Sequence, residues 1–458
     1  MRIANFLLTV SLIIAIFFTH QTVSRHIQSR RASAISEIES WNTGISSSDK
    51  QIKYCKMAGS AFVFYRGSNH LFWKDFTGDS RLSQFSNDNT KVWLQGDLHA
   101  ENYGAFTNDQ DQVIYDLNDF DESVIEDYQY DIWRMAVSLV LVARQNSGFS
   151  QSKVNTILDA FSENYLDTMK NYRGNNQEVD KIYTRSNTYG RLDNFLADVE
   201  NKESRVKMLD KWTNLVSNRR QFDLAYQKLE AASSSDRSAI TQAMSGYGTT
   251  LSGKISYSSS YFYVKDIAKR ILAGTGSLGT PRYYILIEGP SSSQNDDIIL
   301  DVKLQGKPTA YYYWGYYQQQ YFDSAFNNDA ERHAIAYKAL LTSVDDYLGW
   351  MNFNGGYYSV RERSPYKEGF DTTELNTLDR FTNLASQWGA ILATDHARSD
   401  KDYDSSLISA SVDKEIDIMT DGRHSEFRSL VRSIANSYAD TVEDDYNTFK
   451  SSHLAASC

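Results

Sequence analysis

The segment Gly96-Asp97-Leu98-His99-Ala100-Glu101-Asn102 places a carboxylate and an amide on one short loop, directly after the strand-like run Val92–Leu94. An Asp at such a point can orient or deprotonate an attacking hydroxyl, and the Asn can bind a metal beside it. His99 joins Asp97 and Asn102 as a catalytic candidate, its role being to order the loop by hydrogen bonding. A second group, Asn118-Asp119-Phe120-Asp121, follows the strand-like run Val113–Leu117. A carboxylate at a strand end next to the first loop suits a Mg²⁺ that bridges phosphate oxygens, so Asn102 and Asp119 are the candidate metal ligands. An Asp-rich loop alone is usually a solvated turn. The order and spacing of the two groups favour chemistry.

A third group is Gly274-Thr275-Gly276-Ser277-Leu278-Gly279. Its first competitor is a dinucleotide-binding turn that opens a helix. Here the following run, Pro281 to Ile287, reads as a strand, so a glycine-rich hairpin covering phosphates fits better. Gly274, Gly276, Ser277 and Gly279 are therefore candidate nucleotide contacts. Beyond them Ile298–Lys303 is an apolar strand with a Lys near its end, placed to meet phosphate charge. Glu331 is the best candidate by position for the partner of Lys303, with Glu288 and Asp323 as rivals. Arg66, Arg361, Arg363, Lys367, His396 and Arg398 are candidate phosphate or substrate contacts.

These residues need a framework that mixes strands and helices. Short β-prone runs recur from Ala61 to Asn118, beginning with Ala61–Tyr65. Asp131–Arg144 reads as a buried helix, with Ile132, Met135, Leu139 and Val142 at helical spacing. Residues 150–246 read as mostly helical, including Val154–Met169 and Lys207–Glu230. Strands return at Arg282–Glu288, Ile298–Lys303 and Tyr357–Arg361, and helices close the chain at Leu375–His396 and His424–Thr448.

Composition narrows the class. The chain has 458 residues and a net charge of −11, which disfavours non-specific binding to nucleic acid or anionic lipid. The apolar stretch Phe6–Phe18, with small residues at Thr22-Val23-Ser24, reads as a signal peptide over 1–24, an uncleaved anchor being the rival. No later apolar stretch approaches a membrane span. The two cysteines, Cys55 and Cys458, could pair in an oxidising compartment, and a free terminal thiol is equally allowed. The 31 tyrosines are read as core and strand filling rather than as a stacking surface.

The loop Gly96–Asn102 resembles the Gly-Asp-Leu-His-x-x-Asn loop of the kinase-like superfamily, especially its aminoglycoside-phosphotransferase type. Asp131 stands twelve positions after Asp119, as an Asp heading a helix does there. More closely, the chain is similar to the family called domain of unknown function 2252 (DUF2252). Its marks are Phe64–Gly67, Gly96–Gly104, Asp116–Glu122, Gly274–Arg282, Val302-Lys303, Tyr358–Lys367 and His396–Ser399. The resemblance implies a kinase-like fold of unsettled substrate. The glycine-rich turn follows the catalytic loop by about 170 residues, the reverse of the usual order, which suggests circular permutation.

The expected fold is α+β, a protein-kinase-like two-lobed fold, circularly permuted, with an extra helical segment. The expected divisions are a signal peptide (1–24), a linker (25–50), a catalytic-loop lobe with a helical segment (51–250), a strand-rich nucleotide lobe (251–365) and a helical part packing on the catalytic lobe (366–458). The expected activity is ATP- and Mg²⁺-dependent phosphotransfer to an unknown hydroxyl acceptor, in the secretory lumen or outside the cell, by a monomer. The alternatives are a catalytically inactive nucleotide-binding scaffold and a nucleotidyl transferase on the same fold.

Overall fold

The computed structural model describes residue 30 and residues 32–146, 148–251 and 254–458. The expected signal peptide lies outside the described residues. Antiparallel sheets and helices are mixed, so the α+β expectation holds at that level.

Four short strands carry the two acidic loops: β1 (Lys91–Leu94), β2 (Tyr103–Thr107), β3 (Val113–Leu117) and β4 (Val124–Asp127). β1 pairs antiparallel with β4, and β2 with β3 in the register Tyr103↔Leu117. Each acidic loop thus links the two pairs, and the register brings their inner ends together, where the Asn118 amide donates to the Asn102 carbonyl at 2.9 Å.

Behind these loops lies a helical core. The helix Gln129–Gln145 is buried on nearly every side, as its apolar run of Ile132, Met135, Leu139 and Val142 predicts. The helix Leu378–Arg398 crosses the helix Gln151–Tyr172 closely, and a Cβ at Gly389 would stand 2.2 Å from the Phe161 carbonyl oxygen. The helix His424–Lys450 closes this layer, Phe449 reaching Phe64 with ring centroids 5.4 Å apart.

The second layer is a six-stranded antiparallel sheet in the order β11-β12-β10-β9-β8-β7. Its strands are β7 (Leu229–Ala231), β8 (Val264–Arg270), β9 (Arg282–Ile287), β10 (Ile298–Leu304), β11 (Gly349–Phe353) and β12 (Gly356–Glu362), preceded by the hairpin β5 (Thr213–Val216) and β6 (Arg219–Phe222). Its faces alternate as a pleat requires. Tyr283, Ile285 and Ile287 pack with Ile240, Met244 and Tyr247 of the helix Ser234–Gly248. Tyr284, Leu286 and Ile299 pack instead with Met208, Leu209 and Trp212. These clusters attach residues from about 205 onward to the sheet, so the expected boundary at 250 falls inside this layer.

Two local expectations fail. Residues Ala61–Gly67 form a helix, not a strand: the Ser60 hydroxyl caps it by accepting from the Val63 amide, and its aromatics bury against the core helices. The helix over Lys207–Glu230 ends at Trp212, where the β5–β6 hairpin begins.

The Cys55 and Cys458 sulfurs are bonded, with Cα atoms 5.1 Å apart. The bond joins the helix Ser47–Met57 to the last residue of the chain. Among the described residues no helix is long and apolar enough to cross a membrane.

Candidate active site

The two acidic loops, the glycine-rich turn and the end of β10 meet in one cleft of about 440 Å³. Asp97, His99, Asn102, Asp119, Gly274, Gly276, Ser277, Gly279, Lys303 and Arg66 all line it.

Gly96 opens the catalytic loop at φ +85°, and a Cβ there would stand 2.0 Å from the Glu122 carbonyl oxygen, so only Gly lets the two loops touch. Asp131 holds the same turn from below. Its carboxylate accepts from the Gln95 amide at 2.6 Å and the Gly96 amide at 3.0 Å. Gln95 binds both loops: its side-chain oxygen accepts from the Asp97 amide at 2.9 Å, and its nitrogen donates to the Asp119 carbonyl at 2.5 Å. Asn102 donates to the Asp97 carbonyl at 3.0 Å. Asp119 adopts φ +67°, a left-handed conformation that Asp tolerates better than most residues.

Asp97 is not a free carboxylate. Arg134, inside the buried helix Gln129–Gln145, donates to it from Nε at 2.9 Å and more closely from a second guanidinium nitrogen. Burial nonetheless pushes Asp97 up to about 6 against the pull of Arg134. Glu122, driven by burial and then by Asp97, rises to about 7. His99 accepts from the Glu101 amide at 3.2 Å through Nδ1, and burial keeps its ring neutral, which fits a loop-ordering role.

Lys303 lies 3.5 Å from Asp119 and pairs more closely with Asp121. Burial opposes both charges of the closer pair, yet Lys303 and Gln305 hold Asp121 at about 2, and the two carboxylates raise Lys303. Gln305 donates to Asp121 at 2.7 Å, and His333 of the helix Asp329–Leu340 stands 3.7 Å from it.

Glu331, expected beside Lys303, is elsewhere. Its amide is capped by Asn328 at 2.8 Å, and its carboxylate accepts from the Asn327 amide at 2.8 Å, so it is engaged at the start of that helix. The rivals are also engaged, Glu288 with Lys265 and Asp323 with Lys307. Asp121 takes the role.

The glycine-rich turn links β8 to β9 as a hairpin, with Gly274 and Gly279 at positive φ. It is drawn onto the helical layer by Lys53, which donates to the Gly276 carbonyl at 2.9 Å, and by Lys56, which donates to that of Gly274 at 2.9 Å. Burial lowers Lys53 to about 8.

The basic candidates divide. Arg66 sits at the cleft beside Glu101, and Arg361 lines a deeper chamber described below. Arg363 lies over the Trp212 ring at 5.1 Å. Arg398 is spent on core carbonyls, among them Leu340 at 2.7 Å and Glu178 at 3.0 Å. His396 is buried between the Tyr165 hydroxyl at 2.9 Å and Asp131 at 3.4 Å. None of these three lines the cleft. Among the site residues absent from the candidate set are Arg134, Gln95, Asp121 and Lys53; the signal for Arg134 was present, a charged residue inside an otherwise apolar helix.

Over residues 48–452 the chain matches the family described as "Uncharacterized protein conserved in bacteria (DUF2252)", and it belongs to that family. Neither the curated proteins nor the solved structures searched give a match.

Proposed function

We propose that this protein is an ATP- and Mg²⁺-dependent phosphotransferase of kinase-like, circularly permuted architecture, acting on a hydroxyl acceptor in the secretory pathway or outside the cell. One observation carries the reading: Asp97, Asn102, Asp119, Lys303 and the glycine-rich turn, drawn from segments far apart in the chain, line one cleft.

The sheet adds support. In protein kinases a glycine-rich turn covers the phosphates, the Lys lies on the third strand, and a helix follows it. Here the turn joins β8 to β9, Lys303 is on β10, and the helix Asp329–Leu340 precedes β11. The disulfide between Cys55 and Cys458 fits an oxidising compartment.

The donor set suits Mg²⁺, a hard cation that commonly takes one or two protein oxygens beside substrate phosphates. Asp119 keeps its side chain 48% exposed. Asn102 has its nitrogen engaged with the loop, which leaves its oxygen for a ligand. Asp119 and Asn102 would hold the ion, whose charge, when bound, offsets that of the phosphates. Lys303 supplies a fixed positive charge beside them, and Ser277 and the turn cover them. Asp97 positions the acceptor hydroxyl, and its value of about 6 allows it to take the proton near neutral pH.

The Arg134–Asp97 pair favours a second reading, an inactive nucleotide-binding scaffold, because a carboxylate held by a guanidinium is a weaker base. Incubation with Mg²⁺ and ATP labelled at the γ-phosphate, with water as the default acceptor, separates the two. Slow Mg²⁺-dependent ATP consumption is expected, reduced roughly 10³-fold by Asp119→Ala and by Asp97→Asn. Folded protein that binds ATP but consumes none would favour the scaffold.

A further inference from the structure

Beneath the glycine-rich turn the cleft continues into a smaller chamber of about 150 Å³. Asp119, Asp121, Gly274, Ser277 and Lys303 line both spaces, so the chambers join where Lys303 meets Asp119. The inner walls carry four cations, Arg282, Lys303, Arg361 and Lys367, against the carboxylates Asp119, Asp121 and Asp301.

Two of those cations are matched. Arg282 grips Asp301 with two guanidinium nitrogens, Nε at 2.6 Å, and Lys303 has its two aspartates. The other two are not. Among the described residues neither Arg361 nor Lys367 has a carboxylate within 4.0 Å. Arg361 has the Tyr337 ring at 6.0 Å. The Lys367 ammonium faces Arg361, Arg282 and Arg363, with Asp301 as the opposing charge, and Arg361 more than burial holds it well below the usual lysine range. Arg361 disfavours a second positive charge on Lys367 in this half-buried recess, and an anion placed between the two removes that cost and restores the ammonium.

Size and polarity select the anion. Pockets that enclose whole drug-sized ligands span about 300–1,000 Å³ and are mostly apolar. This recess is smaller, and charged groups dominate its wall, so a nucleobase would desolvate cations without replacing their water. The outer chamber is the better place for a base: Trp41 stacks on His70 there, with ring centroids 5.0 Å apart.

We infer that the inner chamber is an anion subsite in which Arg361 and Lys367, backed by Arg282 and Lys303, anchor the phosphate end of the nucleotide. The triphosphate, not the base, then fills the deep end of the cleft. The identity of the ligand rests on the nucleotide reading above, whereas the subsite itself rests on these cations.

Calorimetric titration of the full chain with tripolyphosphate, ATP and adenosine tests the inference, in wild type, Lys367→Met and Arg361→Gln. Tripolyphosphate should bind wild type and displace ATP. Lys367→Met should weaken tripolyphosphate and ATP about tenfold, the loss of one charge-assisted contact, and leave adenosine unchanged. Arg361→Gln should do the same. Among the described residues Lys367 forms no ion pair, so its variant is expected to melt with wild type, and the melt is recorded alongside. Variants that bind tripolyphosphate as tightly as wild type would overturn the subsite, as would wild type that binds none. ATP binding that ignores both variants would remove the subsite and keep the nucleotide reading. Tripolyphosphate binding without ATP binding would do the reverse.

Discussion

Glu122 and Asp97 hold protons more tightly in the fold than in an unfolded chain, at about 7 and about 6, because burial penalises their charged forms. Asp345, buried beside Glu362, behaves likewise at about 7. A folded value above the unfolded one means that the native state binds more protons across that window. The contribution of these carboxylates to stability therefore falls as pH rises from the ordinary carboxylate range near 4 through about 7, while His99, His70 and His333, kept neutral by burial, act in the opposite sense below about pH 6.5. Asp121, held at about 2, works in the opposite sense but only at more acid pH. Above the histidine range, urea unfolding should give a lower midpoint at pH 7.5 than at pH 6.5, with a loss of roughly 1 kcal/mol. Glu122→Gln should flatten that slope, since an amide oxygen can still accept from the Thr309 amide. A midpoint that rises over this interval would contradict the assignment. At this scale much of the site was legible. Asp97, Asn102, Asp119 and Lys303 sit in short motifs whose spacing has a chemical reason. Asp121 as the partner of Lys303 was not, because the contact spans 182 positions and depends on how the sheet docks.

At the scale of elements, the glycine-rich turn was read correctly as a hairpin between strands, because β-branched and aromatic residues follow it. The same cue misled at Ala61–Gly67, where Phe62, Phe64 and Tyr65 look β-prone. There a Ser cap and tertiary packing against Phe449 outweigh propensity. What no pattern revealed is how tightly the turn is latched. Gly279 has φ +92°, and a Cβ there would stand 2.6 Å from Ile45 Cγ2. Gly279→Ala should cost about 1–2 kcal/mol of stability through its left-handed backbone. It should also lift the turn from the helical layer and weaken ATP binding roughly tenfold, while Gly246→Ala, outside the cleft lining and with open space around its Cβ position, serves as the control. Unchanged ATP affinity in Gly279→Ala would mean that the turn does not cover the nucleotide.

Over the described residues, two layers face each other across the cleft, and the chain builds the helical layer partly from segments before β1 and after β12. The Cys55–Cys458 bond and the contact of the Tyr446 hydroxyl with the Ala58 carbonyl at 3.0 Å hold those two segments together. The α+β class was legible from alternating strand and helix texture. The sheet's edge was not: β7 and the helix Ser234–Gly248 precede the expected boundary, and only their burial against β8 and β11 assigns them to the sheet. The central claim is that this cleft holds a nucleotide through the carboxylate at the mouth of its inner chamber. The most direct test is calorimetric titration of ATP into wild type and Asp119→Ala, each with Mg²⁺ and with chelator. Binding to wild type that requires Mg²⁺ and is lost in Asp119→Ala is the predicted result. Well-folded wild type that binds no ATP, or that binds it equally without Mg²⁺ and without Asp119, would contradict the account.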